Sequence, residues 1–406
     1  MTSARESFIV GETEIQAGRL HKAETALRAA LELSEARIAL AEVLSTLAGG
    51  FRFVGRFAEG EAKLREAVGL CPDDARLWSN LGLFYQAAGA MDAAMSAYDR
   101  ALSLDPDEPD IRFNRATARL TKARDPEGWR EFDARLACAD SVLERLPFKA
   151  PLWDGSDPVG RTILVYPEQG LGDALHFARY ASALAQRGAS VVLAAKPGLV
   201  PLLSSLENVT VTDFEHRPAF DAHIPLMSLP RWLGEPPWSG PYLKAEPSRR
   251  RNLGEGFKVG LCWQGSRANF SDPLRSLSLK ALAPLAESGA RFFSLQVGEG
   301  AENLSTFPGL IPLSDLDADA LFLDTAAVMM DLDLVLTVDT AIAHLAGALG
   351  RPTWLMLNSA PDWRWGLERA ETSWYPSLRL WRQTSFGDWA GVVTAVGAAL
   401  QREMSR

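Results

Sequence analysis

The hydrophobic pattern of this chain changes period near residue 150. Before that point apolar positions recur every three to four residues, the spacing that gathers them on one face of a helix. After it, short β-branched runs alternate with helical stretches, which predicts parallel sheets covered by helices. Two architectures are therefore expected in one chain.

The first part repeats itself. In "LWSNLGLFYQAAGAMDAAMSAYDRALSLDP" the residues Trp78, Leu81, Gly82, Tyr85, Gly89, Ala94, Tyr98, Ala101 and Pro106 match the tetratricopeptide repeat position by position. Gly82 and Ala94 let two antiparallel helices approach closely, large residues fill the gaps, and Pro106 stops the second helix. A preceding copy, "GRFAEGEAKLREAVGLCP", ends at Pro72, 34 residues earlier. An earlier one, "GRLHKAETALRAALEL", starts at Gly18, 37 residues before Gly55, which predicts a small insertion around "AGGFRF". A degenerate last copy runs from about Ile111 through "GWREFDARL". Residues 1–145 thus read as a helical solenoid of three to four units, partial at both ends. Such arrays mostly present a concave groove to a peptide or protein; dimerisation or spacing is the plainer alternative.

Beyond residue 150, "TILVYP", "SVVLAAK", "VTVTDF" and "AHIPL" form one series of strand candidates. The series "KVGLCWQG", "RFFSLQVG", "DLVLTVDT" and "PTWLML" forms another. The Pro-rich, charged segment "GEPPWSGPYLKAEPSRRRNLGEG" separates them. Two Rossmann-like halves are expected, 146–247 and 248–406, with ligands at the carboxyl ends of the strands.

Composition narrows the function. With 406 residues, 47% hydrophobic and 23% charged, the chain is long enough for several globular domains. A net charge of −9 argues against a nucleic-acid partner, whose phosphates need a basic face. Arg249, Arg250 and Arg251 in the linker read as a solvated connection. Cys71, Cys138 and Cys262 are scattered, without the spacing of a disulfide framework or a zinc site. The opening residues lack a signal-peptide core and no apolar run reaches membrane-spanning length. A cytoplasmic setting without an integral membrane segment is expected.

Two junctions carry the candidate chemistry. In "ILVYPEQGLGD" a strand meets a Gly-rich turn and a helix: Gly170 and Gly172 permit tight or left-handed backbone, and the helix start offers free N–H groups. Asp173 there is either a helix N-cap or a carboxylate at a ligand. His176, one turn along, is placed to touch an acceptor or orient the carboxylate, and Arg179 to pair with it or bind phosphate. In "LVLTVDTAIAHLAGALGRP", Asp339 and Thr340 end a strand. Thr340 and the helix amides would hold a phosphate, and His344 lies one turn on, on the face of the cleft mouth. A packed, satisfied side chain is the plainer reading of His344. Trp263 and Gln264, after the first strand of the second half, are secondary candidates. The stretches "DLD" at 331–333 and "SDLDADA" near 314–320 resemble the Asp-x-Asp metal motif, but one directly precedes a buried strand and the other lies in a helix-start loop, which favours solvated caps.

Together, "EQGLGDALHFARY", "WQGSRANFSDPLRSLSL" and "TVDTAIAHLAGALGRPT" resemble glycosyltransferase family 9, the heptosyltransferase-like enzymes, in a form fused to tetratricopeptide repeats. The resemblance spans roughly residues 150–395. The architecture is also similar to that of protein O-glycosyltransferases and flagellin glycosyltransferases. It implies a B-type glycosyltransferase fold, an acceptor half followed by a nucleotide-sugar half, inversion at the anomeric carbon, and no cofactor or essential metal. By this resemblance Asp173 is the catalytic base, Arg275 neutralises the donor diphosphate, and Asp339, Thr340 and His344 contact the nucleotide phosphates. Gly170, Gly172, His176 and Arg179 belong to the acceptor side. The expected partners are a nucleotide sugar and an acceptor protein, flagellin being one instance. The alternatives are an acceptor in lipopolysaccharide or polysaccharide synthesis, or a repeat scaffold without turnover.

Overall fold

Among the described residues the repeat region is built from α1 (Ala4–Gln16), α2 (Leu20–Arg28), α3 (Ser34–Phe53), α4 (Phe57–Leu70), α5 (Ala75–Ala87), α6 (Met91–Leu104), α7 (Pro109–Lys122) and α8 (Pro126–Phe132). They come from a computed structural model that describes residues 3–405 apart from 124, 140, 147, 236–239, 270, 302–303 and 314. The helices pack as successive pairs. The turns inside the first three pairs each rest on a left-handed glycine, Gly18, Gly55 and Gly89, with φ of 71°, 72° and 77°. Gly82 has a steric reason: a Cβ there would lie 2.6 Å from the Tyr98 ring, which is fully buried. The insertion expected around "AGGFRF" is not a loop. α3 absorbs it, with 20 residues where α5 has 13, while α2 has 9 where α4 has 14.

The first compact unit comprises residues up to Ser141 together with Asp362–Leu367. The sequence reading placed 362–367 in the last domain. Trp363 supplies the reason: its ring meets Trp129 at 5.3 Å and Phe132 at 5.6 Å, closing the apolar end of the last helix pair.

The second unit, Val142–Pro361 with Glu368–Arg406, holds two all-parallel sheets. The first contains β1 (Thr162–Tyr166), β2 (Ser190–Ala195), β3 (Val209–Asp213) and β4 (Ala222–Pro225), in the order β3-β2-β1-β4. The second contains β5 (Lys258–Cys262), β6 (Arg291–Ser294), β7 (Leu334–Val338), β8 (Thr353–Leu357) and β9 (Leu378–Arg382), in the order β6-β5-β7-β8-β9. The eight apolar runs of the sequence are all strands; β9 was not anticipated. Strands buried on both faces read as continuous apolar runs, and β5, β7 and β8 do so. The fold is thus the expected one, helical repeats followed by two Rossmann-like halves.

Both strand orders reverse direction once, between β1 and β4 and between β5 and β7. Such a reversal opens a crevice at the carboxyl ends of the two strands, because their crossover helices leave to opposite faces.

The linker arginines are not simply solvated. Arg249 donates to Asp319 at 2.7 Å and 2.9 Å and to Asp324 at 3.0 Å, and Arg250 pairs with Asp331. Asp317 accepts from the backbone N–H of Asp324 and Thr325 and from the Thr325 hydroxyl, capping the helix Leu323–Met329. Asp333 accepts from Lys258 N–H at the start of β5. Both Asp-x-Asp pairs therefore hold local structure. Among the described residues, no group of three His, Cys, Asp or Glu is placed to hold a metal ion. No described helix is long and apolar enough to cross a membrane.

Candidate functional site

β1 ends in Tyr166, whose hydroxyl meets His223 Nδ1 of β4 at 2.9 Å. The chain then turns through "PEQG" into the helix Leu171–Phe177. Glu168 in this turn accepts from Met227 N–H just past β4, so its carboxylate ties the turn to the neighbouring strand. Gly170 is the N-cap, and Asp173 is the third residue of the helix rather than the cap itself. Its Oδ2 accepts from Gly170 N–H at 2.9 Å, the reciprocal arm of a capping box. Asp173 remains half-buried.

Of the two backbone forms expected for these glycines, tight or left-handed, neither glycine takes the left-handed one. Gly170 has φ −71° and Gly172 is helical. Gly172 is required by close approach: a Cβ there would lie 3.0 Å from His344 Cδ2 and 3.5 Å from Ala341 Cα. The turn after β1 and the turn after β7 therefore abut.

On the second sheet, Thr340 caps the helix Ala341–Ala348. Its hydroxyl accepts from Ile342 N–H at 3.2 Å and lies 3.3 Å from Thr337 Oγ1. Asp339 and Thr340 are both half-buried at the end of β7. β5, the neighbour across the crevice, ends in Cys262 and continues into Trp263 and Gln264. Burial pushes the Cys262 thiol pKa up, and its sulfur lies 3.8 Å from Thr340 Oγ1.

Gln296, which the sequence reading missed, organises this loop. Its Oε1 accepts from the N–H groups of Trp263 and Gln264 at 3.2 Å and 3.1 Å, and its Nε2 donates to the carbonyls of Gln264 and Glu299. One side-chain amide thus replaces the strand pairing that stops at the ends of β5 and β6. Opposite it, Ser276 accepts from Gly265 N–H and donates to Asp272 at 2.6 Å. Arg275 is in the same turn, 3.6 Å from Asp272. A Cβ on Gly265 would lie 2.8 Å from its guanidinium, so glycine lets the arginine lie over the end of β5.

Two buried polar atoms at the strand ends stand without a hydrogen-bond partner among the described residues: Arg275 Nε beside β5, and Asn358 Oδ1 just past β8. They flank the end of β7. Arg275 Nε has the longer ion-pair contact with Asp272 at 3.6 Å, whereas an acceptor such as Asn358 Oδ1, withdrawn from water, is costly unless something else satisfies it. The sequence offered no signal for Asn358, since a lone Asn after a strand reads as a turn residue.

Four expected site residues lie elsewhere, His176 among them, fully buried in the packed junction. Trp263 is 2% exposed and packs into the core of the second sheet, because the strand alternation turns its ring away from the crevice. His344 does not face the crevice mouth: it is 5% exposed, with Nδ1 3.2 Å from His176 Nδ1 and 3.2 Å from the Tyr375 hydroxyl. Arg179 is buried as well, donating to the carbonyls of His176 and Trp374 and to the Tyr242 hydroxyl. Gln264 stays half-buried at the strand end, its side chain against Gly300. The structure thus groups Asp339, Thr340, Gln264 and Arg275 round the β5/β7 crevice, sets Asp173 at the turn against it, and moves His176, Arg179 and His344 into the packed junction.

Residues 75–108 match the tetratricopeptide repeat family. Across the chain, Protein FlbA of Caulobacter vibrioides is similar, 26% identical over an alignment of 473 residues that covers 97% of this chain and 78% of that protein. The Hsp70-Hsp90 organizing protein of Triticum aestivum is 28% identical over 168 residues, covering 41% of this chain and 27% of that one. Among solved structures, an O-GlcNAc transferase variant from Thermobaculum terrenum aligns over 100% of this chain and 94% of its own, at 16% identity and a TM-score of 0.32. The crystal structure of MamA covers 33% of this chain and 77% of its own, at 21% identity and a TM-score of 0.28. Likeness at these TM-scores carries no argument about function. The repeats are shown for residues 75–108, and the case for the rest rests on the site's own geometry.

Proposed function

We propose that this chain is an inverting, metal-independent glycosyltransferase of the B-type fold. The nucleotide sugar binds at the ends of β5 and β7, and the sugar passes to a hydroxyl acceptor held at the turn after β1. The observation that carries the reading is the meeting of the two turns. Gly172, next to Asp173, abuts Ala341, next to Thr340, so the crevices of both sheets open at one place.

The residue types fit the chemistry. An acceptor hydroxyl attacking the anomeric carbon in line must lose its proton, and Asp173 is the carboxylate beside it. The departing nucleoside diphosphate gains negative charge. Arg275, the Thr340 hydroxyl and the N-terminal amides of Ala341–Ala348 are placed to meet it. Asn358 Oδ1 accepts from the ribose or base. The repeats recruit a protein acceptor, of which flagellin is one instance, in a cytoplasmic setting.

The bond from Gly170 N–H to Asp173 favours a second reading, in which Asp173 only caps its helix and the chain is a scaffold without turnover.

Thermal-shift screening against nucleoside diphosphates tests the donor site. One diphosphate is expected to raise the melting temperature of the wild type and not that of Thr340→Ala, because a ligand of the folded state alone stabilises it by mass action. Equal shifts in both proteins, or none with any nucleotide, would remove the donor site from the β5/β7 crevice.

A further inference from the structure

Three polar atoms from three segments meet under the abutting turns. His176 Nδ1 lies 2.9 Å from the Tyr375 hydroxyl, His344 Nδ1 lies 3.2 Å from the same hydroxyl, and the two Nδ1 atoms are 3.2 Å apart. His176 belongs to the helix that carries Asp173, one turn further along. His344 belongs to the helix that Thr340 caps. Tyr375 reaches both from the segment before β9, its ring standing on Gly347, where a Cβ would be 2.5 Å away.

Proton counting restricts this cluster. With hydrogens on both Nδ1 atoms, two N–H groups oppose each other at 3.2 Å. With neither, two lone pairs do. One Nδ1–H and one phenolic O–H give each short contact a donor and an acceptor. Burial pushes the Tyr375 pKa well above the ordinary tyrosine value, so the phenol keeps its proton. The surrounding groups oppose a second positive charge. The Arg179 guanidinium lies 4.5 Å from the Tyr375 ring centre and 4.7 Å from that of Tyr242, with Tyr180 beside it. The Tyr242 hydroxyl donates to the Leu175 carbonyl at 2.9 Å and lies 3.4 Å from that of Tyr375. The carboxylate on the same helix, Asp173, is engaged at Gly170.

We propose that Tyr375, His176 and His344 form a clasp holding a single Nδ1 proton, which positions the Asp173 turn against the Thr340 turn. The positioning role rests on the glycosyltransferase reading; the shared proton does not. None of the three touches the reacting atoms in this account. They are positioning residues, and adding a second proton in acid drives the two helices apart.

Imidazole nitrogen NMR on the full-length protein, without substrate, reads the clasp directly. At neutral pH one Nδ1 of the pair is expected to carry a hydrogen, and both rings should shift together on acidification. Tyr375→Phe keeps the ring on Gly347 and removes the hydroxyl. It should uncouple the rings and lower kcat about tenfold or more, as misplacement of reacting groups by a fraction of an ångström does, with the nucleotide Kd within about twofold of wild type. His344→Gln, a second variant, leaves His176 titrating as a single group. Rings that titrate independently in the wild type, or an unchanged kcat in Tyr375→Phe, overturn the proposal. A wild type that shares the proton but transfers no sugar overturns the positioning role and the glycosyltransferase reading together, leaving the shared proton established.

Discussion

Asp173 caps its helix and, in the proposed reaction, takes the acceptor's proton; a single substitution separates the two. Asn keeps an oxygen to accept from Gly170 N–H but cannot take a proton from an acceptor hydroxyl. Asp173→Asn is therefore expected to leave the fold and nucleotide affinity near wild type while lowering kcat by about 100- to 10,000-fold, the usual worth of a general base. Unchanged turnover would make Asp173 a cap. Gly172 is a steric case. Gly172→Ala puts a methyl 3.0 Å from a His344 ring that hydrogen bonds hold in place. Overpacking of this kind costs about 1–3 kcal/mol, to be read as a lower urea midpoint. The sequence singles out both glycines for the tight or left-handed backbone they permit, whereas the structure gives Gly172 a steric reason. Contact with a residue 172 positions away leaves no trace in local spacing. The same holds for His344, whose spacing from Thr340 is right for the crevice but whose ring is claimed by His176 and Tyr375.

At the scale of elements, the pairing of β1 with β4 carries a pH dependence. His223 in β4 is buried beside Tyr166, and desolvation lowers its pKa below the ordinary histidine value. The unfolded chain then binds the proton more readily than the folded one. The stabilisation is fully present above the unfolded pKa, about 6.5, and is lost as pH falls through the folded value. Protection of the β1 and β4 amides against hydrogen exchange, taken relative to the intrinsic rate at each pH, is expected to fall between neutral and mildly acid pH, and the change should shrink in His223→Asn. An unchanged slope in that variant would show that other groups carry it. Most of the eight strands were legible as apolar runs because they are buried, whereas the edge strand β3 was legible through its β-branched residues alone. β9 was not, since "LRLWR" mixes two arginines with its apolar positions and lies at the sheet edge. The longer α3 was legible only as a length mismatch: 37 residues between equivalent glycines, against 34 in the next interval, does not say whether a loop or a helix grows.

For the whole molecule, the first compact unit runs to Ser141 and takes in 362–367, a segment that lies far from the repeats in sequence. Trp363 is one of several aromatics in the tail. Its edge contacts with Trp129 and Phe132 predict that Trp363→Ala destabilises the repeat unit by about 3–5 kcal/mol, measurable as an earlier unfolding transition. An unaltered transition would mean that the last helix pair closes without it. Sequence motifs and strand order thus point to the same crevices, while Gln296, Tyr375 and Asn358 emerge only once distant segments are brought together. Turnover decides whether Asp173 acts as the proposed base. The full-length protein is incubated with a panel of nucleotide sugars, and released nucleoside diphosphate is followed beside that from Asp173→Asn. Release from one donor, dependent on an acceptor and lost in Asp173→Asn, is the predicted result. Release equal in the variant, or none from any donor in the presence of candidate acceptor proteins and glycans, would contradict the account.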